Sequence, residues 1–232
     1  MKALAILQNA DFEAPGFLPA WAESAGFSVR CYRAFDGELP PAASFSHLVV
    51  LGTPHSVQEI DAHPWLRAVR SLVEDALAND RAVLGICFGA QLLAYLFGAR
   101  VEVGPYAEIG WHSFPAEPWP AALPRLGSGA IFQWHREYFT LPEGCESFGA
   151  TAAGYLAGFC RGPRVFRLSG HIEITPALVQ DYITLCWDEE AHRRDAAAGA
   201  AGFRQSPAEM KAGAQRDPAF ARSLFLAWLN AE

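Results

Sequence analysis

Several features are scarce or missing in this 232-residue sequence, and each absence excludes a class of protein. Basic residues are outnumbered by acidic ones, 18 against 25, so the chain has a net charge of -7 and lacks the basic stripe of a nucleic-acid-binding protein. The apolar start, Met1 to Leu7, is too short for a secretion signal and far too short to cross a bilayer. We therefore expect no nucleic-acid partner, no membrane association and a cytoplasmic location.

Cysteine is also scarce, with five residues at positions 31, 87, 145, 160 and 186. The odd number and irregular spacing predict reduced thiols rather than a disulfide framework. The sequence contains no CxxC pattern and no internal repeat. From these absences we expect neither a metal nor a cofactor.

One cysteine stands in a pattern that indicates chemistry. The apolar run from Ala82 to Ile86 predicts a buried strand, and the apolar residues that follow it, closed by Gly98, predict a helix. Cys87 lies on the turn between the two. Gly85 and Gly89 complete the pattern Gly-x-Cys-x-Gly, the thiol version of the nucleophile elbow, in which small neighbours permit a tight strand-to-helix bend.

The elbow position predicts that Cys87 is a nucleophile. Unpaired N–H groups and the positive end of the helix dipole favour the thiolate, which is the reactive form of cysteine. The Phe88 N–H is then a candidate oxyanion donor, and Gln91 projects from the same helix face. Taken alone, the pattern also fits a small buried cysteine in an ordinary strand-turn-helix unit.

The rest of the first half alternates strands with helices. Strands are predicted at 2–7, 27–32 and 47–51, and helices at 12–25 and 64–77. This alternation predicts an α/β fold with a doubly wound, mostly parallel sheet flanked by helices, as in flavodoxin-like proteins. Shorter β-like pieces at 100–153 predict a small antiparallel addition that walls the pocket. Trp134 and His135 are candidate lining residues there, although such residues are more often core or surface filler.

Ligands of open parallel sheets bind at the carboxyl ends of the strands. The Gly52-Thr53-Pro54 segment follows one predicted strand and Cys87 follows the next, so we expect both loops to border one pocket. Because Pro54 has no N–H group, a second oxyanion donor from this loop must be the amide of Gly52 or Thr53.

A His-x-Glu pair at positions 171 and 173 is the candidate general base and its orienting carboxylate. Residues 164–173 read as a strand, in which residues two apart point to the same face, so Glu173 is placed to orient the imidazole of His171. The fold, not sequence proximity, brings such groups to a nucleophile, so the 84 residues between Cys87 and His171 are no obstacle. A surface His-x-Glu pair is the alternative.

The C-terminal part predicts helices. A helix at 176–187 is followed by an Ala/Gly-rich joint at 196–202, and Ser206 to Glu209 has the form of a capping box. A last helix carries an apolar stripe formed by Phe220, Leu224, Phe225, Trp228 and Leu229. We expect one domain over 1–190 and a helical extension over 191–232 packed on it, with a homodimer contact as the alternative use of this stripe.

Together these motifs resemble those of the class I glutamine amidotransferases, in order over about residues 1–190. The closest branch is the free-standing, GMP-synthase-like members that lack a fused synthetase domain. The resemblance is carried by Gly85 to Gln91, the Gly52-Thr53-Pro54 loop, Trp134-His135 and His171-x-Glu173.

The resemblance implies that Cys87 attacks the γ-amide of glutamine or of a γ-glutamyl compound, forms a γ-glutamyl thioester and releases ammonia or an amine. Water then hydrolyses the thioester. It assigns His171 as base and then acid and Glu173 as its orienter, and it implies substrate or oxyanion contacts for Gly52, Thr53, Phe88, Gln91, Trp134 and His135. It also implies a synthetase subunit as the partner that receives ammonia.

Two segments depart from the family pattern. The family usually has Gly-Gly-Pro where this chain has Gly52-Thr53-Pro54, and Gln-Phe-His-Pro-Glu where it has Ser-Gly-His-Ile-Glu at 169–173. Residues 154–159 also lack the usual polar turn, which leaves open a substrate other than free glutamine. Two further alternatives are a weak or inactive subunit that acts as a binding partner, and the related chaperone-like and glyoxalase-like branch, against which His171 and Glu173 count.

Overall fold

The computed structural model describes residues 2–115, 117–121, 123–127 and 129–231, except for the side chain of Ala201. The strands in these ranges are β1 (Ala3–Gln8), β2 (Ser28–Arg33), β3 (His47–Val50), β4 (Ala82–Ile86), β5 (Val101–Ser113), β6 (Ala130–Phe139), β7 (Glu146–Ser147), β8 (Gly158–Arg161) and β9 (Val165–Leu168). The α-helices are α1 (Leu18–Ser24), α2 (Pro64–Ala78), α3 (Phe88–Leu96), α4 (Pro176–Cys186), α5 (Glu189–Asp195), α6 (Pro207–Gly213) and α7 (Ala219–Leu229). Shorter helical segments are Ala34–Asp36, Val57–Ala62, Ala196–Ala200 and Ala201–Phe203.

The main sheet has the strand order β2-β1-β3-β4-β9-β8-β7. The strands from β2 to β9 in this order run parallel, whereas β8 and β7 are antiparallel to their neighbours. Alternate residues of β1 enter two different cores, Leu4 and Ile6 on one face and Ala5 and Leu7 on the other. Burial on both faces explains why such strands are apolar without interruption. The predicted α/β class with a mainly parallel sheet is confirmed.

The antiparallel addition is confirmed but differs in form. In place of short pieces, β5 and β6 are long strands that pair in a sheet of their own, with an irregularity between Val103 and Glu108. Near the end of the predicted 100–153 region, Glu146 and Ser147 form β7, and Ala150 forms an isolated bridge with Leu156.

The helix predicted at 12–25 begins later, at Leu18. Residues 12–17 form a loop because Gly16 adopts a φ of 50°, and the Phe17 N–H donates to the carbonyl of Glu173 (3.0 Å) instead of to a helical partner. The apolar spacing that predicted a helix here reflects packing of the loop. This loop carries Glu13 at the carboxyl edge of the sheet.

The strand predicted at 164–173 is also shorter, because β9 ends at Leu168. The chain then leaves the main sheet: the Ser169 hydroxyl bonds the Leu156 carbonyl (2.7 Å), and the His171 N–H donates to the Phe132 carbonyl on β6 (2.7 Å). The segment that carries His171 and Glu173 is therefore anchored to the second sheet.

Of the C-terminal helices, α7 packs on the main sheet, whereas α6 packs against α4 and the second sheet. The predicted capping box is confirmed, since the Ser206 N–H donates to Glu209 Oε2 (2.7 Å). On α7, Phe225 contacts Trp21 of α1, and the Trp228 indole N–H donates to the Arg164 carbonyl (3.0 Å). None of the helices in the described ranges has the length and apolar character needed to cross a membrane.

Candidate active site

Cys87 sits on a strained turn between β4 and α3. Its φ of 52° and ψ of -109° lie in a region that residues other than glycine rarely adopt. The turn is closed by two glycines: a Cβ atom on Gly85 would collide with the carbonyl of Gly89, and one on Gly89 would collide with the carbonyl of Val50. The elbow predicted from the sequence is present, and both glycines are required by close backbone approach.

This packing predicts a large effect of a single methyl group. Gly85→Ala places its Cβ against backbone atoms that cannot move aside, so we expect the free energy of unfolding to fall by about 1–3 kcal/mol, measured by urea denaturation. The exposed Gly202 has nothing within 4 Å of a built Cβ, so Gly202→Ala is the matched control. Equal stability of the two variants would contradict the close packing of the elbow.

His171 and Glu173 form a buried pair. Nδ1 of His171 lies 2.6 Å from Oε1 of Glu173, and the two residues are 1% and 2% exposed. The Cys87 sulfur lies close enough to the imidazole to contribute to the rise in its pKa. Nε2 of His171 is buried and forms no hydrogen bond with any described residue, and because Glu173 occupies Nδ1, we infer that Nε2 is the ring nitrogen on the side of the sulfur. The side chains of Cys87, His171 and Glu173 therefore come together.

Burial and charge act in opposite directions on this pair. Burial lowers the pKa of His171, but Glu173 and Cys87 outweigh it, so that pKa is raised well above its ordinary value. The pKa of Cys87 is also raised, chiefly by burial, although His171 acts to lower it. The sequence predicts that the helix terminus favours the thiolate, but desolvation of the buried sulfur is the larger effect and raises the pKa of Cys87.

A second carboxylate, which the sequence analysis did not identify, borders the same imidazole. Oε2 of Glu13 lies 4.0 Å from Nδ1 of His171 and accepts a hydrogen bond from the Tyr182 hydroxyl (2.6 Å). Burial is the main reason that the pKa of Glu13 is raised. Its position after β1, at the edge where Cys87 also lies, was the available signal, but the predicted helix at 12–25 concealed it. No pattern pointed to Tyr182.

Oxyanion donors are available on both loops. The backbone N–H groups of Gly52, Thr53 and Phe88 donate no hydrogen bond to any described residue. Free N–H groups beside a nucleophile are suited to bind a developing oxyanion. The sequence analysis named these three residues as candidate contacts, and in the structure Gly52 and Thr53 follow β3 while Phe88 is the first residue of α3.

A cavity of about 460 Å³ opens on Cys87. Four of the residues predicted to contact substrate line it: Thr53, Gln91, Trp134 and His135. The Thr53 hydroxyl is buried and has no hydrogen-bond partner among the described residues. Burial lowers the pKa of His135 to about 4, so this wall of the cavity carries a neutral imidazole at physiological pH.

Fold and site together define an open α/β protein with a cysteine elbow at the carboxyl edge of its sheet. The chain belongs to the class I glutamine amidotransferase family: the sequence profile "Glutamine amidotransferase class-I" matches residues 23–159.

The relatives agree with this assignment. The glutamine amidotransferase-like protein YfeJ of Salmonella typhimurium is 32% identical over 87% of this chain and 86% of its own length. The GMP synthase [glutamine-hydrolyzing] of Methylobacillus flagellatus is 31% identical over 61% of this chain, which corresponds to 27% of that enzyme.

Solved structures show the same fold. A glutamine amidotransferase from Thermotoga maritima superposes with a TM-score of 0.81 at 23% identity, covering 99% of this chain and 98% of that one. A glutamine amidotransferase from Methylobacillus flagellatus gives a TM-score of 0.83 at 24% identity and covers 100% of this chain and 95% of that one.

Proposed function

We propose that the protein hydrolyses the γ-amide of glutamine, or of a related γ-glutamyl compound, through a thioester on Cys87. One observation carries the proposal: a strained, buried cysteine lies near an imidazole whose Nδ1 is 2.6 Å from a buried carboxylate, and cysteine and imidazole shift each other's pKa. Nucleophile, base and orienter in this arrangement are the parts of a catalytic triad. Membership of the family supports the same chemistry.

The proposed reaction proceeds in two halves. The Cys87 thiol gives its proton to His171 as the sulfur attacks the γ-carbonyl carbon, and the N–H groups of Thr53 and Phe88 stabilise the oxyanion. The imidazolium then protonates the leaving nitrogen, which departs as ammonia or an amine. In the second half His171 takes a proton from water, the hydroxide attacks the thioester, and glutamate and the free thiol are released.

The cavity supports an amino-acid-like substrate. Arg136 and Glu137 both line it, so it offers charges of both signs to a carboxylate and an ammonium group. The unpaired Thr53 hydroxyl offers a further polar contact. At about 460 Å³ the cavity falls in the range of about 300–1,000 Å³ typical of small-molecule sites, which leaves room for a substituent on the amide nitrogen.

The test is a panel of γ-glutamyl amides that begins with glutamine. Purified protein is incubated with each compound, and glutamate and the released amine are quantified beside Cys87→Ala protein. We expect turnover of at least one member and none by the variant. Release that survives in the variant would remove Cys87 from the mechanism, whereas no release from any compound would favour the binding subunit that the sequence left open.

A synthetase is the proposed receiver of ammonia when glutamine is the substrate. Support comes from the GMP synthases, named glutamine-hydrolyzing, among the relatives. The chain aligns with 27% of one such enzyme, so the remainder of that enzyme has no counterpart in the match. Copurification of a synthetase that raises glutaminase turnover would support this assignment.

We also assign Glu13 as a positioning residue for His171. Its carboxylate accepts from Tyr182 on α4, lies 4.0 Å from the imidazole, and packs so closely on Gly52 that a built Cβ there would stand 2.6 Å from Oε2. Glu13 thereby links the base to the loop that offers the oxyanion donors. The imidazole and the N–H donors of this loop must keep their relative positions for the sulfur to attack the substrate.

Replacement of Glu13 by Gln keeps the shape but weakens the hydrogen bond from Tyr182. We expect kcat to fall by about 10- to 100-fold with little change in KM, because misplacement of the base by about 1 Å costs this much. Steady-state kinetics on the best substrate of the panel measure the effect, and Tyr182→Phe should reproduce it. A raised KM with an unchanged kcat would show that Glu13 binds substrate instead.

A further inference from the structure

Two histidines and a glutamate meet at the edge of the Cys87 cavity. His55 precedes the helical segment Val57–Ala62, Glu59 lies in its first turn, and His63 follows it. One potential ligand atom from each residue lies within 4.8 Å of the other two. The imidazole rings of His55 and His63 are 4.1 Å apart between centroids, and Nδ1 of His55 is 3.7 Å from Oε2 of Glu59.

Local structure explains only part of this cluster. Glu59 completes a capping box, with Oε2 accepting from the Ser56 N–H at 2.7 Å. Its other oxygen has no role in the cap. Neither imidazole forms a side-chain hydrogen bond with a described residue that meets ordinary geometry, since the His55–Glu59 contact is longer than a hydrogen bond. Two ring nitrogens and a carboxylate oxygen thus converge without a structural need for both histidines.

The donor set selects a class of ion. Two imidazoles and a carboxylate suit zinc and related divalent transition metals, whereas magnesium and calcium prefer oxygen ligands alone. Zinc bonds of about 2.0–2.1 Å place tetrahedral ligand atoms about 3.3 Å apart. The potential ligand atoms lie within 4.8 Å of one another. The side chains of His55 and Glu59 are 34% and 49% exposed, so small rotamer changes can bring these atoms to the separation that zinc requires.

We propose that His55, Glu59 and His63 bind one divalent transition-metal ion, with zinc as the leading candidate. Three protein ligands leave at least one coordination position for water or another small ligand. His55 and Glu59 line the same cavity as Cys87, so the ion lies at the border of the catalytic pocket. The site is independent of the thiol chemistry and stands whether or not the enzyme turns over a γ-glutamyl amide.

The test uses tag-free Cys87→Ala protein, which removes the nucleophile as a competing ligand. Cobalt(II) is titrated as a spectroscopic probe, followed by zinc as a competitor. We expect one equivalent of cobalt to give the visible absorption of a low-coordinate site without a thiolate charge-transfer band, and one equivalent of zinc to displace it. Absence of this spectrum would overturn the proposal.

Substitutions locate the ion. A double variant, His55→Gln with His63→Gln, should bind cobalt at least about tenfold more weakly, because even changes outside the coordinating residues cost 10- to 100-fold. Glu59→Gln keeps an acceptor for the Ser56 N–H while removing the anionic ligand, and should also weaken binding. His192→Gln, in a half-buried histidine outside this cavity, is the matched control and should bind as the parent does. Unweakened binding in the double variant would overturn the assignment.

Discussion

Cys87→Ala protein is expected to form no adduct with a glutamine-mimicking electrophile, whereas the parent chain gains the mass of one. In the proposed mechanism the elbow presents only this sulfur to the substrate carbonyl, beside N–H groups that donate to no described residue, and His171 accepts its proton. Turnover should fall by a factor of at least about 10⁴, because removal of a triad nucleophile typically costs this much. Intact-mass spectrometry and substrate turnover measure the two effects.

A second thiol in the same cavity supplies the control. Cys186 also lines this space, but burial raises its pKa to about 11, so it is a poor nucleophile at neutral pH. Cys186→Ala should still gain one adduct. An adduct that disappears with Cys186 and persists without Cys87 would contradict the proposed mechanism.

Replacement of His171 by Gln is expected to lower kcat/KM by about 10³- to 10⁴-fold at pH 7 and to change its pH dependence. In the proposed mechanism the imidazole of the parent takes the thiol proton, which offsets the effect of burial on the thiol. Without it, we expect the pKa of Cys87 to rise further above its ordinary value, because His171 is the group that acts to lower it. The parent rate should level off once His171 has lost its own proton, at a pH above the ordinary histidine value because that pKa is raised, whereas the residual rate of the variant should keep rising past about pH 8.5, the pKa of a free thiol.

The alkylation rate of Cys87 by iodoacetamide offers a measurement that does not depend on the substrate. In the His171→Gln variant, the pH at which Cys87 becomes alkylated should likewise shift upward. His135→Gln is the matched control, because that imidazole lines the cavity but its pKa of about 4 keeps it neutral, so the pH at which Cys87 alkylates should stay in place. Superimposable alkylation profiles for His171→Gln and the parent would exclude His171 as the proton acceptor.

The local pattern around Cys87 was sufficient to predict the elbow. A short apolar run, two glycines and a helical stripe are all determined by near neighbours, and the structure reproduces the strand, the turn and the helix. The same holds for the Ser206 capping box, whose partners are three residues apart.

The His171–Glu173 contact was predicted for the wrong reason. The argument from strand alternation fails because β9 ends at Leu168, and the two side chains meet instead on an irregular segment held by the Phe132 carbonyl. The sequence contains no local signal for this long-range hydrogen bond.

Glu13 illustrates what local patterns conceal. Its neighbours repeat with helical spacing, and only the close approach of Gly16 to the Glu173 carbonyl, far away in the sequence, forces the loop. The thiol pKa is a similar case, since the dipole argument uses the helix alone while the opposing effect comes from burial by the whole fold.

The anchoring of His171 to β6 has a mechanical consequence. Cys87 directly follows a strand of the main sheet, whereas the backbone of His171 is hydrogen-bonded to the two-stranded ribbon of β5 and β6. The distance between the Cys87 sulfur and the His171 imidazole thus depends on how the β5–β6 ribbon packs against the main sheet. We therefore expect substitutions at the far end of the ribbon, at residues that never touch the substrate, to shift His171 relative to Cys87 and to change the proposed turnover.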